Sequence, residues 1–160
     1  MTTGMRELVE RHPFMAGVSE ESLELVVGCA RNVAFAPGSL LCAEGESADT
    51  FYLLRRGRVS VNVHAPGRGS IVIETVGPGD VVGWSWLVPP FRWTFDARAM
   101  DRVGCIAIDG ACLRAKSLTD PSLGFELLSK VSVTLLARLQ ATRMRLLDLY
   151  GDLREQFETQ

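Results

Sequence analysis

Apolar residues recur with two different periods along this chain. Near the start, Leu23, Val26, Val27 and Ala30 fall at three- and four-residue steps, the spacing of one helix face. Ser19 stands ahead of them as an N-cap, with Glu20 and Glu21 in the first turn, where the helix dipole favours acids. His12-Pro13-Phe14 breaks an earlier short helix. From Asn32 the pattern shortens. Val33-Ala34-Phe35 and Leu40-Leu41-Cys42 are short apolar runs separated by Pro37-Gly38, and Phe51-Tyr52-Leu53-Leu54 has the character of a buried strand. Val59, Val61, Val63 and Ala65 alternate with Ser60, Asn62 and His64, which predicts one buried face. Pro66-Gly67-Arg68-Gly69 reads as a hairpin loop and Ile71 to Val76 as its second arm. Gly77-Pro78-Gly79-Asp80 turns the chain into Val81-Val82-Gly83. Two more strands, Phe95 to Met100 and Val103 to Ile108, flank a turn at Asp101-Arg102. Strands this short, with a turn every ~8–12 residues, predict a β-sandwich or barrel. Helices on both flanks make the chain α+β.

The last third returns to helical spacing. Asp109 or Gly110 starts a short helix to about Ser117, and Asp120-Pro121 opens a long one. Gly151 reads as its C-cap after Tyr150. Roughly 29 residues of helix span ~43 Å at 1.5 Å per residue, more than one small barrel covers. Phe125, Leu128, Ser132, Leu135, Leu139, Thr142, Leu146 and Leu149 fall on alternating three- and four-residue steps, a coiled-coil seam. Leu127, Val131, Leu136 and Leu147 form a flanking stripe. A single wide face on a monomer core would give the same residues. The persistence of the seam favours a parallel homodimer through residues 122–150.

Composition narrows the function. The chain has 160 residues, with 47% apolar and 22% charged, and 17 Lys plus Arg against 19 Asp plus Glu. That is one soluble domain with no basic excess to mark a nucleic-acid binder. No signal peptide is legible at Met1 to Glu7 and no run approaches a membrane span, so the expected compartment is the cytoplasm. Cys29, Cys42, Cys105 and Cys112 form no Cys-x-x-Cys pair and are expected as four reduced thiols. His12 and His64 are too few for a His-based metal centre of a cupin-like enzyme. No nucleophile elbow or phosphate loop occurs, so no enzyme is expected.

Several segments taken in order carry a resemblance. Pro37-Gly38, Gly45-Glu46-Ser47-Ala48-Asp49-Thr50-Phe51-Tyr52-Leu53-Leu54, Gly57, Val59 and Val61 resemble the opening hairpins of the cyclic-nucleotide-binding domain of the catabolite-activator (Crp/Fnr) superfamily. Gly77-Pro78-Gly79-Asp80-Val81-Val82-Gly83 resembles the lead into its phosphate-binding cassette, and Ala97-Arg98-Ala99 the strand that follows. Ala137 to Thr142 resembles its dimerisation helix. The resemblance implies a β-roll of about eight strands over 32–108, with N-terminal helices over 1–31, C-terminal helices over 109–150 and a tail over 151–160, all one domain.

It also implies a pocket, and here the sequence departs from the pattern. The family's cassette has a short helix after its glycine that presents N–H groups to a phosphate. A Glu follows that glycine and holds the ribose; an Arg with an adjacent Ser or Thr holds the phosphate. This chain reads Gly83-Trp84-Ser85-Trp86-Leu87-Val88-Pro89-Pro90-Phe91-Arg92-Trp93-Thr94. Trp84 occupies the Glu position, Trp93 the Arg position, and Thr94 the Ser/Thr position. Arg92 is one residue early, and a one-residue shift along a strand points a side chain to the opposite face. Thr142 falls where the long helix reaches the base. The candidate ligand residues are therefore Gly83, Trp84, Ser85, Trp86, Arg92, Trp93, Thr94 and Thr142.

Two readings follow. In one, the aromatic rings stack a flat ligand, nucleotide-like or other, in a sensor that signals through a helix-mediated dimer to a partner protein. In the other, the rings fill the pocket and the domain serves dimerisation or docking. Neither expects high-affinity cyclic AMP. A helix-turn-helix takes roughly 25 residues, and the nine after Gly151 are too few, so direct DNA binding is not expected.

Overall fold

A computed structural model describes residues 4–159. Met1 to Thr3, part of the start read above for a signal peptide, and Gln160 of the expected tail lie outside the described residues. Two compact units divide the chain, Met1–Glu126 and Leu127–Gln160.

The first unit opens with helix α1 (Met5–Arg11), a 3-10 turn at Pro13–Met15 and helix α2 (Glu20–Val27). The expected N-cap of α2 forms. Ser19 Oγ accepts from the Ser22 amide at 3.3 Å, and Ser19 itself donates to the Glu126 carboxylate through its amide at 3.1 Å and its hydroxyl at 3.0 Å. Eight strands follow: β1 (Ala30–Phe35), β2 (Leu40–Cys42), β3 (Thr50–Arg56), β4 (Val59–Ala65), β5 (Gly69–Val76), β6 (Val81–Val82), β7 (Asp96–Ala99) and β8 (Val103–Asp109). They pair antiparallel into two four-stranded sheets, β1-β8-β3-β6 and β2-β7-β4-β5. This is the β-roll within an α+β chain that the turn spacing and the resemblance imply. Helices α3 (Gly110–Thr119) and α4 (Pro121–Glu158) complete the order.

Alternation along β3 builds the core. Tyr52 and Leu54 point into the roll, where Leu41, Val59, Val61, Val82, Ala97 and Cys105 also meet. Phe51 points the other way and meets the Phe14 ring edge-on at 5.1 Å. Ser60 and Asn62 depart from the expected single buried face. Both are buried. Strand β4 is flanked on both edges, by β7 and β5, and the polar groups bond internally: Asn62 Nδ2 donates to Ser60 Oγ at 3.2 Å and Ser60 Oγ to the Arg98 carbonyl at 3.4 Å. His64 is exposed, as the alternation predicts.

Helix α4 corrects the reading of Gly151. The helix runs through it to Glu158. Glycine costs only about 1 kcal/mol in a helix interior. The residues after it favour continuation, with Leu153 and Phe157 extending the apolar spacing and Arg154 reaching Glu158 one turn on at 3.9 Å.

His12 is buried where the first helix breaks. Its Nε2–H donates to the Leu54 carbonyl at 2.9 Å, and its Nδ1 accepts from the Phe14 amide at 3.2 Å. That uses both nitrogens of a neutral ring. Burial holds its pKa below the ordinary 6.5; the Leu54 carbonyl and Asp80 oppose the shift and Arg55 adds to it. The unfolded chain therefore binds more protons than the folded one just below ~6.5. The His12 contribution is complete above that pH and is lost as pH falls toward the lowered folded value. The melting temperature is expected to drop from about pH 7 to about pH 5, with a shallower slope in His12→Gln. An identical slope in the variant would assign the titration elsewhere.

Candidate functional site

The segment after β6 decides what the roll can hold. Gly83 has φ +92, a left-handed conformation that glycine adopts without a Cβ penalty. It is also tightly covered: a Cβ there would lie 2.2 Å from Trp93 Cη2 and 2.4 Å from Cζ3. The missing side chain is thus replaced by the Trp93 indole. Trp93 is only 5% exposed and belongs to the interior cluster with Tyr52, Leu54, Val61 and Ala97. Phe95 meets it edge-on at 5.8 Å. Two backbone bonds fix the residue, Trp93 amide to Glu46 carbonyl and Gly45 amide to Trp93 carbonyl, each 2.9 Å.

Trp86 goes elsewhere. It is fully buried, 5.7 Å from the Phe51 ring. Phe51 and Tyr52 are neighbours on β3 and face opposite sides of the sheet. Trp86 and Trp93 therefore lie against opposite faces of β3. Six residues of irregular loop separate the two. Trp86 Nε1 has no hydrogen-bond partner among the described residues. Trp84 and Ser85 are half-buried.

No helix follows Gly83. Turns replace it, closed by the Leu87 amide donating to Trp84 O at 2.9 Å, Val88 to Ser85 O at 3.4 Å and Phe91 to Val88 O at 2.9 Å. Pro89-Pro90 is cis and Phe91 has φ +57. Such a loop lacks the row of parallel amides that a helix N-terminus offers an anion. Arg92 is exposed and donates Nη1–H to the Gly45 carbonyl at 2.9 Å. Its neighbour Trp93, by contrast, is buried. Thr94 is exposed. Thr142 belongs to the second unit, where its hydroxyl donates to the Arg138 carbonyl one turn back at 2.9 Å.

Arg114 on α3 escaped the sequence reading. Its guanidinium donates to the Trp86 carbonyl and stacks 4.4 Å from the Phe91 ring centre. Gly110 admits the same loop: a Cβ there would lie 2.7 Å from Trp86 Cβ. The one signal available was an Arg and a Gly four residues apart on a short helix, which matches no motif.

The cysteines correct a second expectation. Cys29 and Cys112 are disulfide-bonded, with Cα atoms 5.8 Å apart across a sequence separation of 83. Cys42 and Cys105 are free thiols, buried in the roll and pushed up to about 12 by burial. No described helix is long and apolar enough to cross a membrane.

Comparison with known proteins identifies the family and the fold. Residues 32–119 match the family described as the cyclic nucleotide-binding domain. A CRP-like cAMP-activated global transcriptional regulator of Mycobacterium tuberculosis is 27% identical over 145 residues, covering 91% of this chain and 63% of the regulator. The chain thus spans under two-thirds of that relative's length. A candidate cyclic nucleotide-binding protein from Geobacter metallireducens superposes with a TM-score of 0.76 at 30% identity, covering 87% of this chain and 99% of the other. A cyclic nucleotide-binding domain from Methylobacillus flagellatus shares the fold, with a TM-score of 0.75 at 22% identity over 89% of this chain and 80% of the other.

Proposed function

The chain belongs to the cyclic nucleotide-binding domain family, and from that premise we propose that it is a regulatory module whose own Trp93 fills the ligand space of the roll. Its output is then pairing through α4 and contact with a partner protein in the cytoplasm, rather than high-affinity capture of cyclic AMP. The observation that carries this reading is the Trp93 indole packed on Gly83 inside the core. By the resemblance, that position holds the phosphate-binding Arg and Trp84 stands for the ribose-binding Glu. A hydrogen bond to a charged group is worth about 1.5–3 kcal/mol, and each 1.4 kcal/mol is tenfold in affinity. Losing both groups removes several orders of magnitude. A calorimetric titration with cyclic AMP is expected to give no low-micromolar binding; a saturable low-micromolar isotherm would sink the reading.

Support for pairing comes from α4. Phe125, Leu128, Leu135, Leu139, Leu146 and Leu149, the six apolar residues of the eight-residue seam, are all exposed on it. A monomer leaves that stripe in water, whereas a second copy buries it. Sedimentation is expected to give a dimer, and Leu139→Glu with Leu146→Glu a monomer that keeps its folded circular-dichroism spectrum. A wild-type chain that sediments as a monomer would remove this half of the reading.

A further inference from the structure

We propose that the Cys29–Cys112 pair is a redox modification site: a disulfide that a dithiol reductant opens, releasing helix α3 from the α2–β1 junction. The site stands apart from the core thiols. Cys42 and Cys105 sit among the roll's buried side chains with thiols pushed up to about 12, which keeps them unreactive. The bonded pair instead lines an open hollow of about 320 Å³ with Thr50 and Arg31, and Cys112 is part-exposed. In the cytoplasm proposed above, a disulfide is the exception, and those that occur there are chiefly transient or redox-sensing.

What the bond holds gives it a consequence. Cys29 lies between α2 and β1, and Cys112 lies in the first turn of α3. Helix α3 has little other anchorage. Leu113 is its one fully buried large side chain, and Leu118 is 86% exposed. Four polar contacts of the α3 segment with the rest of the described residues remain once the bond opens: the Asp109 amide to the Cys29 carbonyl at 2.9 Å, the Gly110 amide to the Asp49 carbonyl at 2.8 Å, Lys116 Nζ to the Leu25 carbonyl at 2.8 Å, and the Arg114 guanidinium to the Trp86 carbonyl. Two residues after Cys112, Arg114 grips the loop after Gly83 through the Trp86 carbonyl and the Phe91 ring. At its other end α3 joins α4 through Asp120 alone. One bond thus ties a weakly packed helix that touches the cassette loop and leads into the pairing helix. The inference does not depend on whether the roll takes a ligand.

The chemistry is ordinary exchange. A thiolate of the reductant attacks Cys112 Sγ, forming a mixed disulfide and expelling Cys29 as a thiolate, which takes a proton. The reductant's second thiol then attacks its own sulfur in the mixed disulfide and releases Cys112. Two electrons and two protons pass to the cysteine pair, and the reductant leaves as its own disulfide.

The experiment uses the full chain with dithiothreitol as the probe, read by iodoacetamide labelling with mass spectrometry and by amide hydrogen exchange. Before reduction, no label on Cys29 or Cys112 is expected. After it, both take label, while Cys42 and Cys105 stay protected until the fold is denatured. Exchange over Gly110–Thr119 is expected to quicken by at least ~10-fold at labelling times too short for β3 and β8 to exchange, and oxidised glutathione, added after the reductant is removed, reverses it. Cys29→Ser should show the fast exchange without reductant and no response to it. The proposal is overturned if α3 exchange is unaffected by reduction, if the bond resists the reductant in the folded chain, or if both cysteines label in oxidised protein.

Discussion

Trp93→Ala is expected to lower the unfolding free energy by about 3–5 kcal/mol. The ring is almost wholly buried among Tyr52, Val61, Ala97 and Phe95, so its removal loses both its transfer from water and its contacts. Gly83 cannot fill the gap, having no side chain. The two backbone bonds that hold residue 93 to Gly45 and Glu46 survive the substitution, so the loss belongs to the indole. The void should be apolar and ring-sized, and such voids take up small aromatics. Added indole is expected to raise the melting temperature of Trp93→Ala and leave the wild type unchanged. Urea unfolding with stability close to wild type would place the ring outside the core and undo the self-filled pocket.

Opening the Cys29–Cys112 bond should cost a comparable amount. Cross-links act mainly by restricting the unfolded chain, and their effect grows with loop length. With a sequence separation of 83, the loop term is about 4.5 kcal/mol, within a usual range of about 2–5 kcal/mol. At about 2–4 °C per kcal/mol for a chain of this size, reduction is expected to lower the melting temperature by about 10 °C or more. Cys29→Ser should match reduced wild type, whereas Cys42→Ser should leave the response to reductant intact. Equal melting temperatures with and without reductant would mean that the bond does not constrain the unfolded chain.

Much of the fold was legible because its signals are local. The switch from helical spacing to short alternating runs, punctuated by Pro37-Gly38, Gly57, Gly67 and Gly79, located all eight strands, and Ser19 and Asp120 marked helix starts. Gly151 misled because a lone glycine carries a small penalty that the flanking helix formers and the Arg154–Glu158 pair outweigh. Ser60 and Asn62 misled because their burial depends on neighbouring strands rather than on their own alternation.

The candidate site was legible in part. Counting along the resemblance picked out Gly83 and Trp93, which the structure packs against each other, while Arg92 is exposed. The division of Trp86 from Trp93 across β3 did not follow, since the loop between them has no period to count. Arg114 and the Cys29–Cys112 bond were out of reach for the same reason. Each depends on where α3 lands, on the loop after Gly83 for Arg114 and on the chain's beginning for the bond, and spacing along a sequence carries no information about contacts between elements 28 or 83 residues apart.

By itself, then, the sequence determined the order and type of the elements, and its resemblance to the family implied Trp84 and Trp93 at the two charged pocket positions. Backbone propensity and period are properties of neighbouring residues, and those the chain states directly. Only the tertiary structure decided that Trp93 turns inward while Trp86 crosses to the outer face, and that two distant cysteines meet. Those outcomes are set by close packing against Gly83, Gly110 and Phe51, where the shape of the space left between elements selects which side chain enters it.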